Sequence, residues 1–145
     1  MAGSSVIRED ALRDEVALVT GASRGIGRAV LEHLLGAGAC VVGTATSHEG
    51  AEAISAHVQS LGGRGRGAAL NVRDGARVDA LIEEVLQAYG KLSILVNNAG
   101  LTRDTLLMRM RDEQWDEVID TDLTGAFRLS RSVVRHMMKA KHGRI

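Results

Sequence analysis

Glycine recurs at Gly21, Gly25 and Gly27, after the apolar run Val16-Ala17-Leu18-Val19 and Thr20 and directly before a helical pattern. A strand that stops at such a turn and feeds a helix brings the free N–H groups of the first helical turn to one point. The helix dipole favours negative charge there. Gly21 suits turn angles closed to other residues. Gly25 leaves room for a phosphate against the main chain, and Gly27 lets the helix pack close to the strand. The implied chemistry is diphosphate binding, with Ala22, Ser23, Arg24 and Ile26 completing the turn. The spacing G-x-x-x-G-x-G is one residue longer than the dinucleotide fingerprint G-x-G-x-x-G.

Two further places carry chemical potential. Asn97-Asn98-Ala99-Gly100 follows the apolar run Ile94-Leu95-Val96. Asp122 falls within an apolar helical stripe of Trp115, Val118, Ile119, Ala126, Leu129, Val133 and Met137, so the periodicity points it into the protein. A lone buried carboxylate is costly unless it is hydrogen-bonded or paired. Position 122 is therefore expected to be functional or specially satisfied.

The second strand end narrows the cofactor. An NAD site carries an Asp or Glu about 20 residues past the glycine turn, on the ribose hydroxyl. Here the corresponding stretch reads Gly43-Thr44-Ala45-Thr46-Ser47, and no carboxylate stands before Glu49. Arg24 offers a cation, and Ser23, Thr44 and Thr46 offer hydroxyls, to a 2′-phosphate. The expected cofactor is NADPH/NADP+ rather than NADH. The alternative reading of Arg24 is a solvated turn residue.

The pair T-G-x-x-x-G-I-G and N-N-A-G resembles the short-chain dehydrogenase/reductase family. More narrowly, residues 20–27, Gly43-Thr44-Ala45-Thr46-Ser47, Leu106-Leu107-Met108-Arg109-Met110 and Phe127-Arg128-Leu129-Ser130 look like the 3-oxoacyl-[acyl carrier protein] reductases of fatty-acid synthesis. The resemblance covers about residues 14–145 and implies NADPH-dependent reduction of a ketone to an alcohol. It implies cofactor contacts at Gly21 to Gly27, Thr46, Asn71, Val72, Asn98, Ala99 and Gly100. Asn71 and Val72 would flank the adenine, and Asn98 the nicotinamide ribose. Asp122 stands where most members carry the asparagine of a proton relay. The family's serine, tyrosine and lysine have no counterpart here: the one tyrosine, Tyr89, is followed four residues on by Ser93. Those groups are expected beyond Ile145, and the chain alone is expected to be inactive. The resemblance further implies a homotetramer at full length and acyl carrier protein as partner. The run Arg128, Arg131, Arg135, Lys139, Lys141 and Arg144 holds no Asp or Glu, and Lys139 and Lys141 are the docking candidates. A non-catalytic nucleotide-binding chain, or a reductase of another ketone or alcohol, remains the alternative.

The elements that must position these residues alternate. Strands are expected at residues 16–19, 39–43, 68–70 and 92–96, with helices at 24–35, 49–60, 75–89 and 112–139. Residues 61–67 read as a glycine-rich basic turn with Arg64 and Arg66 solvated. Gly143-Arg144-Ile145 reads as the opening of a fifth strand. Such alternation predicts a Rossmann-like, doubly wound parallel sheet in three α/β/α layers, incomplete at the C-terminus. Ligands in this architecture sit beyond the C-terminal strand ends. Residues 1–13 read as a polar N-terminal tail, and 14–145 as the NADP-binding domain.

Composition limits the alternatives. With 18 basic and 18 acidic residues the net charge is zero, so no overall field favours nucleic acid or a membrane surface. Aromatics at 2% argue against base-stacking recognition. No apolar run approaches the roughly 18 residues of a membrane span. A single cysteine, Cys40, excludes an internal disulfide, which with the polar N-terminus suggests a reducing, cytoplasmic setting. No His, Cys or carboxylate cluster has metal-ligand spacing, so no metal site is expected.

Overall fold

The computed structural model describes Arg8 and residues 10–145. Four parallel strands lie in the order β3-β2-β1-β4. In chain order they are β1 (Val16–Val19), β2 (Cys40–Ala45), β3 (Arg64–Ala69) and β4 (Ile94–Val96). Helices α1 (Gly25–Gly36), α2 (His48–Ser60) and α3 (Gly75–Tyr89) make the crossovers. After β4 come a single 3-10 turn, Leu107–Arg109, and α4 (Asp112–Val118). A π-helical turn, Ile119–Thr124, then leads without a break into α5 (Gly125–Ala140).

Side-chain alternation along the strands splits the core in two. Val16 and Leu18 point to one face with Cys40 and Val42, under Leu81 and Val85 of α3 and Leu129 and Val133 of α5. Ala17 and Val19 point to the other with Val41, under Leu31 of α1 and Ile54 and Val58 of α2. This is the expected three-layer arrangement, because a strand covered on both faces must be apolar at every position.

β3 corrects the expectation of a turn at 61–67. A Cβ on Gly65 would lie 1.9 Å from the Val41 carbonyl oxygen, and one on Gly67 1.9 Å from that of Ala51. The glycines are there so that β2 and α2 can close on this strand, a role that reads as a turn from sequence. Arg64 and Arg66 are not simply solvated: Arg64 donates to the Arg13 carbonyl at 2.8 Å and Arg66 to Glu84 at 3.2 Å.

Residues 1–7 and Glu9, most of the expected tail, lie outside the described residues. Its last part is tied down, with the Leu12 N–H donating to the Ala37 carbonyl at 2.8 Å. At the other end Arg144 bridges to Ile94 in parallel register, beside β4 where a fifth strand was expected.

Candidate functional site

The C-terminal ends of the four strands surround a crevice of about 530 Å³. The glycine turn forms its floor. Gly21 and Gly25 have φ of +64° and +59°, the left-handed region that glycine alone adopts freely. A Cβ on Gly27 would sit 2.2 Å from the Gly21 carbonyl oxygen, so the helix start touches the strand end. The N-cap residue of α1, Arg24, makes no side-chain capping bond. Helices α2 and α3, by contrast, are capped by Ser47 and Asp74, which accept from Gly50 and Arg77 N–H. The first-turn donors of α1 therefore face the crevice without a side-chain cap, the arrangement that suits a phosphate.

The wall over β4 is stitched to this floor. Thr20 Oγ1 accepts from the N–H of Asn98 at 3.0 Å and of Ala99 at 2.9 Å, and donates to the Val96 carbonyl at 3.3 Å. The Asn98 amide donates to the carbonyls of Thr20 at 2.9 Å and Gly21 at 3.0 Å. Thr20 was not among the expected site residues; from sequence it stands between the expected strand at 16–19 and Gly21, and its place as the threonine of T-G-x-x-x-G-I-G is the one signal.

The expected residues fall as follows. Gly21, Ser23, Arg24, Gly25, Ile26 and Gly27 line the crevice, as do Thr44, Thr46, Asn71, Val72, Asn98, Ala99 and Gly100. Ala22 is buried beneath the turn, its N–H donating to the Thr44 carbonyl at 2.8 Å. Thr44 itself is 1% exposed, with Oγ1 accepting from Gly21 N–H at 3.3 Å; it braces the turn, while Thr46 is open. Ile26 is 77% exposed at the crevice, while Gly27 and Leu31 carry the buried face of α1.

Asp122 is the main correction. It is exposed rather than inward-pointing, and its Oδ1 accepts from Leu101 N–H at 2.9 Å beside Gly100. The cause is the π-helical turn, in which Gly125 N–H reaches back five residues to the Asp120 carbonyl. One extra residue in the turn shifts the phase of what precedes it. The buried face of α5 is Gly125, Leu129, Val133 and Met137. Trp115, at the far end of the expected stripe, is 57% exposed.

Ion pairs lock this turn to the crevice rim. Asp120 accepts from Arg73 at 3.1 Å and Arg128 at 2.9 Å, and these arginines, Arg73 first, hold its carboxyl below the usual range. Glu117 meets Arg103 at 2.7 Å and Arg73 at 3.7 Å. No spacing rule marks this network in the sequence. It removes Arg128 from the expected free basic face, and Arg131 lies 4.9 Å over the Phe127 ring. Lys139 and Lys141 remain exposed at the end of α5.

Tyr89 belongs elsewhere. It shares a cleft with Val16, Cys40 and Arg64 at the opposite, N-terminal strand ends, where burial pushes its phenol and the Cys40 thiol up. Among the described residues, no group of three His, Cys, Asp or Glu could hold a metal ion. None of the described helices is long and apolar enough to cross a membrane.

Comparison with known proteins agrees with this geometry. The model of the short chain dehydrogenase family matches residues 15–145. The 3-oxoacyl-[acyl-carrier-protein] reductase FabG of Escherichia coli K12 is 56% identical over 131 residues, covering 90% of this chain and 52% of that protein. The reductases of the same name from Haemophilus influenzae and Pseudomonas aeruginosa are 52% and 49% identical over 134 residues, each match covering 92% of this chain and 54% of the relative. The chain thus spans about half the length of the curated relatives it matches. A solved short-chain dehydrogenase from Streptomyces avermitilis superposes with a TM-score of 0.82 at 35% identity, over 89% of this chain and 46% of that one. A crevice floored by an uncapped glycine turn, in a sheet of this order, thus comes with a family match across nearly the whole chain: the protein belongs to the short-chain dehydrogenase family.

Proposed function

We propose that this chain is the dinucleotide-binding half of an NADPH-dependent oxidoreductase that reduces 3-oxoacyl-[acyl carrier protein] to the 3-hydroxyacyl form in fatty-acid biosynthesis. The observation that carries the cofactor reading is the open N-terminus of α1, with Arg24 at its cap and no carboxylate at the end of β2. The substrate reading rests on the names of relatives 49–56% identical to this chain.

The residues fit the group. Gly21 to Gly27 would hold the diphosphate, with Arg24 and Thr46 on the 2′-phosphate. Asn71 and Val72 would flank the adenine, with Asn98, Ala99 and Gly100 along the nicotinamide ribose. When bound, the nicotinamide supplies the hydride that reduces the ketone. The work of this chain is to bind and orient the cofactor. Thr20 and Asn98 keep the glycine turn and the β4 loop in register, and Asp122 holds the loop entry at Leu101 in the relay position.

The proton donor belongs to a further half, which the family pattern implies in proteins of the relatives' length. This chain alone is inactive in that reading. A homotetramer is supported by the exposed apolar row of Leu123 in the π-helical turn and Phe127, Val134 and Met138 on the outer face of α5. Lys139 and Lys141 are the proposed contacts for the acidic carrier protein, in a cytoplasmic setting.

A chimera tests the reading. Residues 15–145 replace the matching half of the Escherichia coli relative, and NADPH oxidation with a 3-oxoacyl thioester is followed. The expected result is reduction within about tenfold of the parent, since the half that carries the proton donor is unchanged and Asp122 keeps the loop anchor at Leu101. A folded chimera that binds NADPH and reduces no 3-oxoacyl thioester contradicts the substrate assignment.

A further inference from the structure

Five charged side chains alternate in sign along one rim of the crevice. Arg103 meets Glu117 Oε2 at 2.7 Å, and Glu117 Oε1 meets Arg73 at 3.7 Å. Arg73 also donates to Asp120 Oδ2 at 3.1 Å, and Asp120 Oδ1 accepts from Arg128 at 2.9 Å. Each carboxylate oxygen in this chain of contacts therefore has its own arginine. Arg73 follows β3 and Arg103 follows β4, the two outer strands of the described sheet. Glu117 of α4 joins them, and both Arg73 and Glu117 line the crevice.

The loop that these contacts secure has few other fastenings. The polar contacts described for residues 101–105 are Leu101 N–H to Asp122 and Arg103 to Glu117. Leu106, Leu107 and Met108 beyond them are exposed, so apolar burial adds little there. All the ion pairs are partly exposed. Such pairs are individually weak, count for more as a network, and are screened by salt. A loop held this way stays closed most of the time and opens often, and loop opening sets the rate at which many sites exchange their ligands. A contact made equally in the free and the bound protein shifts no binding equilibrium. It acts on the barrier between the two states.

We propose that the run Arg103–Glu117–Arg73–Asp120 is an ionic strap across the crevice rim, which sets how fast a dinucleotide enters and leaves and not how tightly it binds. This rests on the dinucleotide reading above. The members of the strap bond one another, so breaking it speeds entry and exit alike.

The test is stopped-flow binding of NADPH to the full chain, with and without the paired substitution of Arg73→Gln and Glu117→Gln. The pair removes one charge of each sign, so long-range steering of the anionic ligand is kept. Both kon and koff should rise about three- to tenfold, with their ratio within about twofold of the original. In the unsubstituted chain koff should rise about threefold between about 0.05 M and about 0.5 M salt, and in the paired variant it should stay level. A weaker Kd with unchanged kon means that Arg73 or Glu117 touches the ligand, and it overturns the proposal. So does an unchanged koff. A folded chain that binds no NADPH removes the dinucleotide reading, and amide exchange without ligand then decides on the strap. Residues 101–105 should exchange faster in the paired variant, and equal exchange overturns the strap as well. Should the paired variant not fold, a koff of the unsubstituted chain that does not change with salt overturns it.

Discussion

Thr20 Oγ1 accepts the backbone N–H of Ala99 at 2.9 Å, across 79 residues of chain. Through that contact the glycine turn after β1 and the asparagine loop after β4 become one structure. The same oxygen serves Asn98, so a single buried hydroxyl, 1% exposed, sets the spacing of the two loops.

Removing it should be expensive. Thr20→Val leaves two backbone donors facing a methyl group, and a buried unsatisfied donor costs about 1–3 kcal/mol. Urea unfolding should report a loss of about 2–4 kcal/mol for Thr20→Val and under about 1 kcal/mol for Thr20→Ser, which retains the hydroxyl.

Two glycines of the turn should fail differently. A Cβ on Gly27 would stand 2.2 Å from the Gly21 carbonyl and 2.4 Å from the Asn98 amide. Gly27→Ala should therefore lower both the melting temperature and dinucleotide affinity. A Cβ on Gly25 meets nothing within 4 Å, and only its φ of +59° opposes a side chain. Gly25→Ala should cost about 1–2 kcal/mol of stability, yet weaken dinucleotide binding by more than that loss explains, because the methyl enters the phosphate approach. Thermal melts paired with NADPH titrations separate the two.

What the sequence disclosed follows from which residues report their environment. β1, β2 and α3 are legible because apolar residues run or recur at the right period, and Asp74 and Gly90 bracket α3. β3 is not, because Gly65 and Gly67 are selected for contact with Val41 and Ala51, and glycine reads as a break. The glycine turn is legible because its backbone angles demand the residue type. The inward direction assigned to Asp122 fails because a single π turn leaves no mark in composition, yet shifts the phase of the helix before Gly125. The Arg73–Asp120–Arg128 cluster joins residues 47 and 8 positions apart, which no local pattern encodes.

Asp122 holds Leu101 N–H with one carboxylate oxygen, a task an amide oxygen performs equally well. In the chimera, Asp122→Asn should keep thioester reduction within about threefold, while Asp122→Leu should lower kcat by about tenfold or more as the loop loses its anchor. Steady-state rates with NADPH check both. Full activity in Asp122→Leu removes position 122 from the relay.

Asp120 gives the crevice rim a pH dependence. Its carboxyl, ordinarily near 3.8, is held lower by hydrogen bonds first from Arg73 and then from Arg128. The folded state therefore releases the proton more readily than the unfolded state. The stabilisation is fully present above the unfolded value and is lost as pH falls through the lowered folded one. The pairs are partly exposed, so the effect is modest. The urea midpoint should fall more steeply from about pH 5 to about pH 3 in the unsubstituted chain than in Asp120→Asn, which is less stable at neutral pH. Parallel acid limbs would show that Asp120 contributes nothing to the linkage.

The uncapped turn with Arg24 should select a phosphorylated dinucleotide. The direct measurement is titration of the full chain with NADPH and NADH, with and without Arg24→Ala, far-UV circular dichroism confirming the fold of each. NADPH should bind at least about tenfold tighter than NADH, the worth of one charge-assisted hydrogen bond. Arg24→Ala should abolish most of that difference while leaving NADH nearly unchanged, and Thr46→Asp should reverse it. Equal affinity of the folded, unsubstituted chain for NADPH and NADH would contradict a 2′-phosphate site at Arg24.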